Sequence, residues 1–233
     1  MYQPIESARL YEQIVEQIEQ RILKGELHVG DQLPPERDLG EQFGVSRTAV
    51  REAVKALRQK GLLETYPGRG TFITNGTSQA MRHSLNLVVN LGRAHGSDDL
   101  VQVREILEPE IAALAAKHVT SEQLAAMDQA VAAMDGALDD AERFIEADLD
   151  FHLALAEATR NDVIPILIDS IVDLLREQRK SIFSTPGGPQ RGQVHHKRIL
   201  KAVKQQDPNA ARKAMHAHLV QVRQDSRAKT PAR

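Results

Sequence analysis

Between Pro34 and Ile73 the chain is punctuated so closely that few folds can accommodate it. Pro35-Glu36 puts a proline in the first turn of a helix and a carboxylate at the positive end of its dipole, and Gly44 marks where that helix stops. Only Val45 separates this stop from Ser46, an N-cap residue for the next helix. That helix, Arg47 to Lys60, has Val50, Ala53, Val54 and Leu57 on one face, and Arg47, Arg51, Lys55 and Arg58 on the other. Two helices joined by so short a turn, the second carrying arginines on its outer face, make a helix-turn-helix. Directly behind it, Gly61 to Ile73 reads as two short strands around a Pro67-Gly68 turn with Arg69 at the tip, a β-wing. An earlier amphipathic stretch, Ser7 to Lys24, places Leu10, Ile14, Ile18 and Ile22 four apart and ends at Gly25, which supplies a third helix.

Thr74 to Gln79 is small and polar and reads as a linker, and everything beyond it has helical periodicity. Helices are expected over Ala80–Gly92 and from after Ser97, the latter kinked at Pro109. Others are expected from Thr120, whose spacing to Gln123 is that of a capping box, to Leu138, then over Glu142–Thr159 and Asp162–Phe183. After a loop at Ser184–Pro189, Gln190–Gln205 and a last helix opened by Asp207-Pro208 complete the set. An aromatic fraction of 3% without tryptophan suits Leu/Ile/Val/Ala helix packing better than an all-β core. The expected fold is mainly α: a winged helix-turn-helix of three helices and a small β-wing, joined to an all-α antiparallel helical bundle. At 233 residues two domains are expected, at 1–75 and 80–228, with a linker at 76–79 and a frayed tail at 229–233.

The chain has no cysteine, which excludes a disulfide framework and a thiolate zinc site, so any metal would be held by histidine and carboxylate. The first residues lack the apolar core of a signal peptide, and no run approaches the roughly 18 apolar residues of a membrane span, so a cytoplasmic location is expected. His-Glu-x-x-His, Gly-x-Ser-x-Gly and P-loop patterns are absent, which argues against a hydrolase.

The net charge of −2 is unevenly distributed. From Val45 to Gly70, Arg47, Arg51, Lys55, Arg58, Lys60 and Arg69 face only Glu52 and Glu64. A local basic surface on a near-neutral protein suits specific docking on phosphate, although such a cluster alone could equally be a solvated helix face.

Taken together, Leu33-Pro34-Pro35-Glu36-Arg37-Asp38-Leu39, Val45 to Ala53, Gly61-Leu62-Leu63 and Gly68-Arg69-Gly70-Thr71-Phe72 resemble the winged helix of the GntR family. The helical remainder resembles the FadR-type effector domain of that family, the FCD domain. A recognition helix enters the major groove by its N-terminal end, where Arg47, Thr48 and Arg51 stand, and an arginine there can fork onto guanine. The resemblance implies base or phosphate contacts for Arg37, Arg47 and Arg51, phosphate contacts for Ser46 and Thr48, and a minor-groove contact for Arg69, flanked by Gly68 and Gly70. A surface ion pair with Glu36, Asp38 or Glu52 is the plainer fate of any one of these arginines.

The second constellation is built on histidine. Asp148 and His152 lie four apart and project from one helical face, a spacing that allows a shared metal. His196 aligns with Ile199, Leu200 and Val203 and is the inward member of the His195-His196 pair. Periodicity separates His216 from His218 only weakly, and each histidine taken singly is more often a core or surface residue than a ligand. One subgroup of FCD domains has an Asp-x-x-x-His pair and two later histidines on a divalent metal. The resemblance therefore implies Asp148, His152, His196 and His218 as ligands, for Zn²⁺ or alternatively Ni²⁺, Mn²⁺ or Fe²⁺. Arg104 shares a face with Leu107 and Ile111 and so points toward the core, where it needs an anionic partner. The family suggests an effector carboxylate, and an internal pair with Glu108 is the alternative. Asn161 is a cap, an effector-binding donor, or both.

The resemblance implies a homodimeric regulator, a repressor or an activator of a catabolic operon, that reads a two-fold symmetric operator and responds to a small carboxylate bound at the metal. A metal-free effector such as an acyl thioester is the alternative, and a metalloenzyme with an accessory DNA-binding arm is a remote one.

Overall fold

A computed structural model of the chain describes residues 8–74, 76–91 and 96–227. It divides into two compact units, Met1–Met81 and Arg82–Arg233.

The first unit holds α1 (Ala8–Leu23), α2 (Glu36–Phe43), α3 (Arg47–Gln59), β1 (Leu63–Tyr66) and β2 (Gly70–Ile73). Between α2 and α3 the turn is closed from both sides. Gly44 takes the left-handed conformation at φ 66°, and the Ser46 hydroxyl accepts a hydrogen bond from Ala49 N at 3.3 Å. Gly40 keeps the turn tight from the helix side, since a Cβ there would lie 3.1 Å from the Val45 carbonyl oxygen. The strands pair antiparallel from Leu63 opposite Ile73 to Tyr66 opposite Gly70, and the hairpin turns through Pro67–Arg69. Gly70 has φ 110°, and the Gln32 side-chain amide donates to Arg69 O at 2.8 Å across the space a Cβ would fill.

Val50, Ala53, Val54 and Leu57 of α3 are buried with Leu33, Leu39, Leu63, Ile73 and the inner face of α1. On α1 that face is Ile14, Val15 and Ile18, with Ile22 at its margin. Leu10, expected on the same stripe, lies in the first turn of the helix and is 46% exposed.

Among its described residues the second unit has helices and no strand. The chain enters it on α4 (Thr77–Leu91), which begins inside the segment read as a linker. It continues through α5 (Gly96–His118), α6 (Ser121–Asp135), α7 (Ala141–Glu157), α8 (Val163–Val172), α9 (Arg176–Phe183), α10 (Gly188–Lys204) and α11 (Pro208–Arg227). Helix α5 runs through Pro109 without ending. Both halves of the Thr120/Gln123 capping box are formed at the start of α6, and Asp207 accepts from Asn209 N and Ala210 N to open α11. Helix α11 packs along α5 and α10, and α6 packs along α7. Met127, Met134, Phe151, Leu155, Ile199, Met215 and Leu219 fill the space between them.

One expectation in this unit is corrected. Residues 162–183 are not one helix: Asp173–Leu175 is a turn of 3-10 helix between α8 and α9. No proline or glycine marks the break, and its result is that α9 can turn Arg179 back toward the end of α8, where its Nη1 donates to Val172 O at 2.7 Å. The tail read as frayed, 229–233, lies outside the described residues.

Candidate metal centre and nucleic-acid interface

Helix α7 supplies Asp148 and His152 from one face, one turn apart, as their spacing predicts. Helix α10 supplies His196 and α11 supplies His218. All four are buried, and one ligand-type atom from each lies within 4.8 Å of all the others. His195 is only half-buried and His216 is exposed, which separates each from its neighbour. The rings of His196 and His218 are 4.5 Å apart between centroids, and His152 is 5.4 Å from His218.

Close-packed imidazoles would ordinarily find hydrogen-bond partners inside a core. Here His196 Nε2 and His218 Nδ1 are buried with none, although Asp148 Oδ1 lies 3.1 Å from His196 Nε2. Orphaned ring nitrogens facing a carboxylate oxygen are what a missing cation leaves behind, so the residues present fit a divalent metal. Burial lowers the proton affinity of His218 far below the ordinary imidazole value, helped by the neighbouring His196 and His152, and burial likewise lowers that of His152. Both rings are thus held neutral, the form that binds a metal.

Around the four stands a second set of charges. Glu108 on α5 accepts from Arg104 Nε at 2.5 Å and Arg104 Nη2 at 3.3 Å, and its Oε2 lies 2.8 Å from His152 Nδ1. Of the two partners considered for Arg104, the structure supplies the internal one. Asp148 Oδ2 accepts from Arg179 Nε at 2.5 Å, and Oδ1 turns toward the histidines. Burial opposes the ionisation of Asp148, but the Arg179 guanidinium outweighs it and holds the carboxyl well below its usual range. Gln193, one turn before His196, lies 3.3 Å from that ring's Nδ1 through its Oε1, and its Nε2 is tied to Val131 O at 2.7 Å. The amide is therefore fixed and so is the ring.

Neither Arg179 nor Gln193 was found by sequence reasoning. A glutamine at i−3 from an inward histidine was a usable signal, whereas Arg179 depends on the unsignalled break before α9. Asn161 is exposed, and its Oδ1 accepts from Val163 N at 3.0 Å. It caps α8 and is not among the residues lining the cavity described next. That cavity, about 40 Å³, opens beside the cluster and is walled by Arg104, Asp148, Arg179, His218, Gln221 and Phe144 among others.

In the first unit, Arg47, Thr48 and Arg51 stand exposed at the start of α3, and among the described residues neither arginine has an ion-pair partner. Arg37 is exposed on α2, with Nε 3.0 Å from Asp38 Oδ1, the plainer fate foreseen for it. Exposed pairs of this kind contribute little and exchange readily for a phosphate. Arg69 lies at the wing tip over the Tyr66 ring, its guanidinium carbon 5.6 Å from the centroid. Lys60 is taken by Glu19.

A winged helix-turn-helix offering unpaired cations at the head of its second helix, with an all-helical unit behind it in the chain, defines a DNA-binding transcription regulator. Comparison with known proteins agrees. The chain belongs to the GntR family: residues 10–73 match the model described as "Bacterial regulatory proteins, gntR family" and residues 99–221 match that of the FCD domain.

It is 37% identical over 206 residues to the HTH-type transcriptional regulator LutR of Bacillus subtilis (strain 168), covering 86% of this chain and 94% of that protein. It is 31% identical over 226 residues to the HTH-type transcriptional repressor NanR of Salmonella typhimurium, covering 93% and 84%. Among solved structures, Streptococcus agalactiae GntR superposes with a TM-score of 0.72 at 28% identity, over 92% of this chain and 99% of that one. Regulators of this type bind operator DNA, and the family and these relatives are regulators rather than enzymes. No helix among the described residues is long and apolar enough to cross a membrane.

Proposed function

We propose that the chain is a homodimeric repressor of a catabolic operon whose hold on a two-fold symmetric operator is set by a small organic acid at a divalent metal in the second unit. The observation that carries this reading is the buried meeting of Asp148, His152, His196 and His218 within 4.8 Å. Three imidazoles and one carboxylate suit Zn²⁺ first, with Ni²⁺, Mn²⁺ or Fe²⁺ as the other candidates. When bound, the metal would supply a Lewis-acidic centre for an effector carboxylate. Asp148 and the three histidines would hold it, Gln193 would keep the His196 ring in place, and Arg104 would line the approach. The modest cavity favours a small acid over an acyl thioester.

Residues 1–75 would carry the DNA contacts: Arg47 and Arg51 to bases, Arg37, Ser46 and Thr48 to phosphates, and Arg69 with Gly70 at the minor groove. Residues 80–228 would hold the effector and the dimer contacts. The effector must bind better to the arrangement of the dimer that holds DNA weakly, since equal affinity for both would shift nothing. The name of the Salmonella relative supports the repressor sense.

Elemental analysis of the untagged protein beside a His152→Ala/His196→Ala variant tests the reading. About one metal per chain in the parent and none in the variant is expected, with an acid releasing operator DNA from the parent alone. A parent that takes up no metal from Zn²⁺-containing buffer would refute it.

A further inference from the structure

The charges around the cavity set a condition on what can fill it. Arg104 and Arg179 are cations, and Glu108 and Asp148 are their anions. All four are buried, so the set is neutral as it stands. The three imidazoles add no charge when they give their lone pairs to a metal. A divalent ion at the cluster therefore brings two positive charges that no protein group offsets, in surroundings where an unpaired charge is expensive.

The two arginines are not equivalent. Arg104 is spent on Glu108 and His152, with Nε and Nη2 on the two carboxylate oxygens and Nη2 also 3.3 Å from His152 Nε2. Arg179 uses Nε on Asp148 and Nη1 on Val172 O, which leaves Nη2 buried, without a partner, on a residue that walls the cavity. Asp148 holds Arg179 by one oxygen and faces the histidines with the other, so the guanidinium and the donor set are separated by the width of one carboxylate. Arginine with a free donor next to a site short of negative charge is a carboxylate reader.

We infer that this cavity selects a small dicarboxylate, one of whose carboxylates meets the metal while the other is received by Arg179 Nη2. This rests on the reading of the cluster as a metal centre. Two negative charges restore neutrality to the loaded site, whereas a monocarboxylate leaves one positive charge buried. Arg179 is the residue that reads ligand charge, and Arg104, with Nη2 3.3 Å from His152 Nε2, is a positioning residue for that ring.

The test compares acids that differ in charge and little in size. Zinc-loaded protein is titrated calorimetrically with malonate, succinate and the monomethyl ester of each, and zinc content is measured on the same samples. At least one dianion should bind about tenfold tighter than its monoester, the scale of a charged hydrogen bond made in a buried site. In Arg179→Gln, zinc content should be retained and that preference lost. Arg179→Lys, which keeps the charge without the fork, should fall between them.

Zinc bound, with each monoester matching its diacid, would overturn the inference and leave the metal centre standing. Preference for the dianion that survives Arg179→Gln would overturn the role given to Arg179. Absence of zinc from the parent would sink the metal reading itself, and the inference with it. If Arg179→Gln fails to load zinc, the charge preference in the parent and in Arg179→Lys decides.

Discussion

The two units dispose of their polar residues in opposite ways. Among the described residues of the first unit, every buried side chain is apolar, and the arginines stand outside. In the second unit Arg104, Glu108, Asp148, His152, Arg179, Gln193, His196 and His218 are all buried together. A surface that must meet phosphate gains from keeping its cations solvated and loosely paired, because nothing has to be broken to dock them. A site that must recognise a small ion or acid gains from the reverse: charges taken out of water act strongly and hold a fixed geometry, at the cost of desolvation that only exact pairing offsets.

Removing one member of the buried set should be costly in the metal-free protein. Asp148→Ala leaves the Arg179 guanidinium buried without its carboxylate, and a loss of about 3–5 kcal/mol from the second unit is expected in urea unfolding. Replacing both, as Asp148→Leu with Arg179→Met, should recover most of it, since the pair pays for its own burial and little more. A single-variant loss below about 1 kcal/mol would mean that water reaches the site and that the contrast between the units is overdrawn.

Acid should separate the units next. In the folded second unit burial depresses the proton affinities of His152 and His218 below the ordinary value of 6.5, so below that pH the unfolded chain binds more protons than the folded one. Their contribution is therefore fully present above pH 6.5 and is lost as pH falls. Asp148, held well below its usual range, extends the loss to lower pH. The first unit has only His28 among its described residues, and it is exposed. Urea titrations at about pH 7.5 and about pH 5.5, read by pulsed hydrogen exchange at one labelling pH, should show the second unit weakening while the first holds. Equal loss in both would break the comparison.

On the outer face the expected effects fall on binding instead of stability. Arg51→Ala should weaken operator affinity by about 1–3 kcal/mol, the scale of one forked base contact, and flatten its salt dependence if the contact is to phosphate. Its unfolding free energy should stay within about 0.5 kcal/mol of the parent value, because the side chain is solvated and unpaired. Operator affinity that does not change would remove Arg51 from the interface.

The same contrast governs how much could be read beforehand. The first unit was legible almost residue by residue because its shape is set by local chemistry: Gly44 and Ser46 close the turn, Pro67–Arg69 turn the wing, and α3 has a clean apolar face. Half of the buried site was legible for a similar reason, since Asp148 and His152 are neighbours on one helix and His196 sits on an apolar stripe. Choosing His218 over His216 needed the family pattern, because α11 is buried along two helices and its periodicity is blurred. Arg179 was out of reach. It approaches Asp148 from 31 residues away, by way of a helix break that no glycine or proline announces. Leu10 failed in the other direction, since a periodic stripe does not say where along a helix its packing partners stop.

The smallest effect tests a residue that serves both surface and fold. The Ser46 hydroxyl accepts from Ala49 N and, being exposed, keeps its own proton free to donate. Ser46→Ala should cost the first unit about 1 kcal/mol through the lost cap and lower operator affinity as well. Ser46→Asp separates the two roles: a carboxylate caps as well as a hydroxyl and suits the positive end of α3, so stability should return to the parent value. The same carboxylate would stand where a phosphate docks, so operator affinity should fall below that of Ser46→Ala, by a margin that shrinks as salt is added. If Ser46→Asp binds operator as well as the parent does, the head of α3 does not approach the backbone at that residue, and Ser46 is a cap alone.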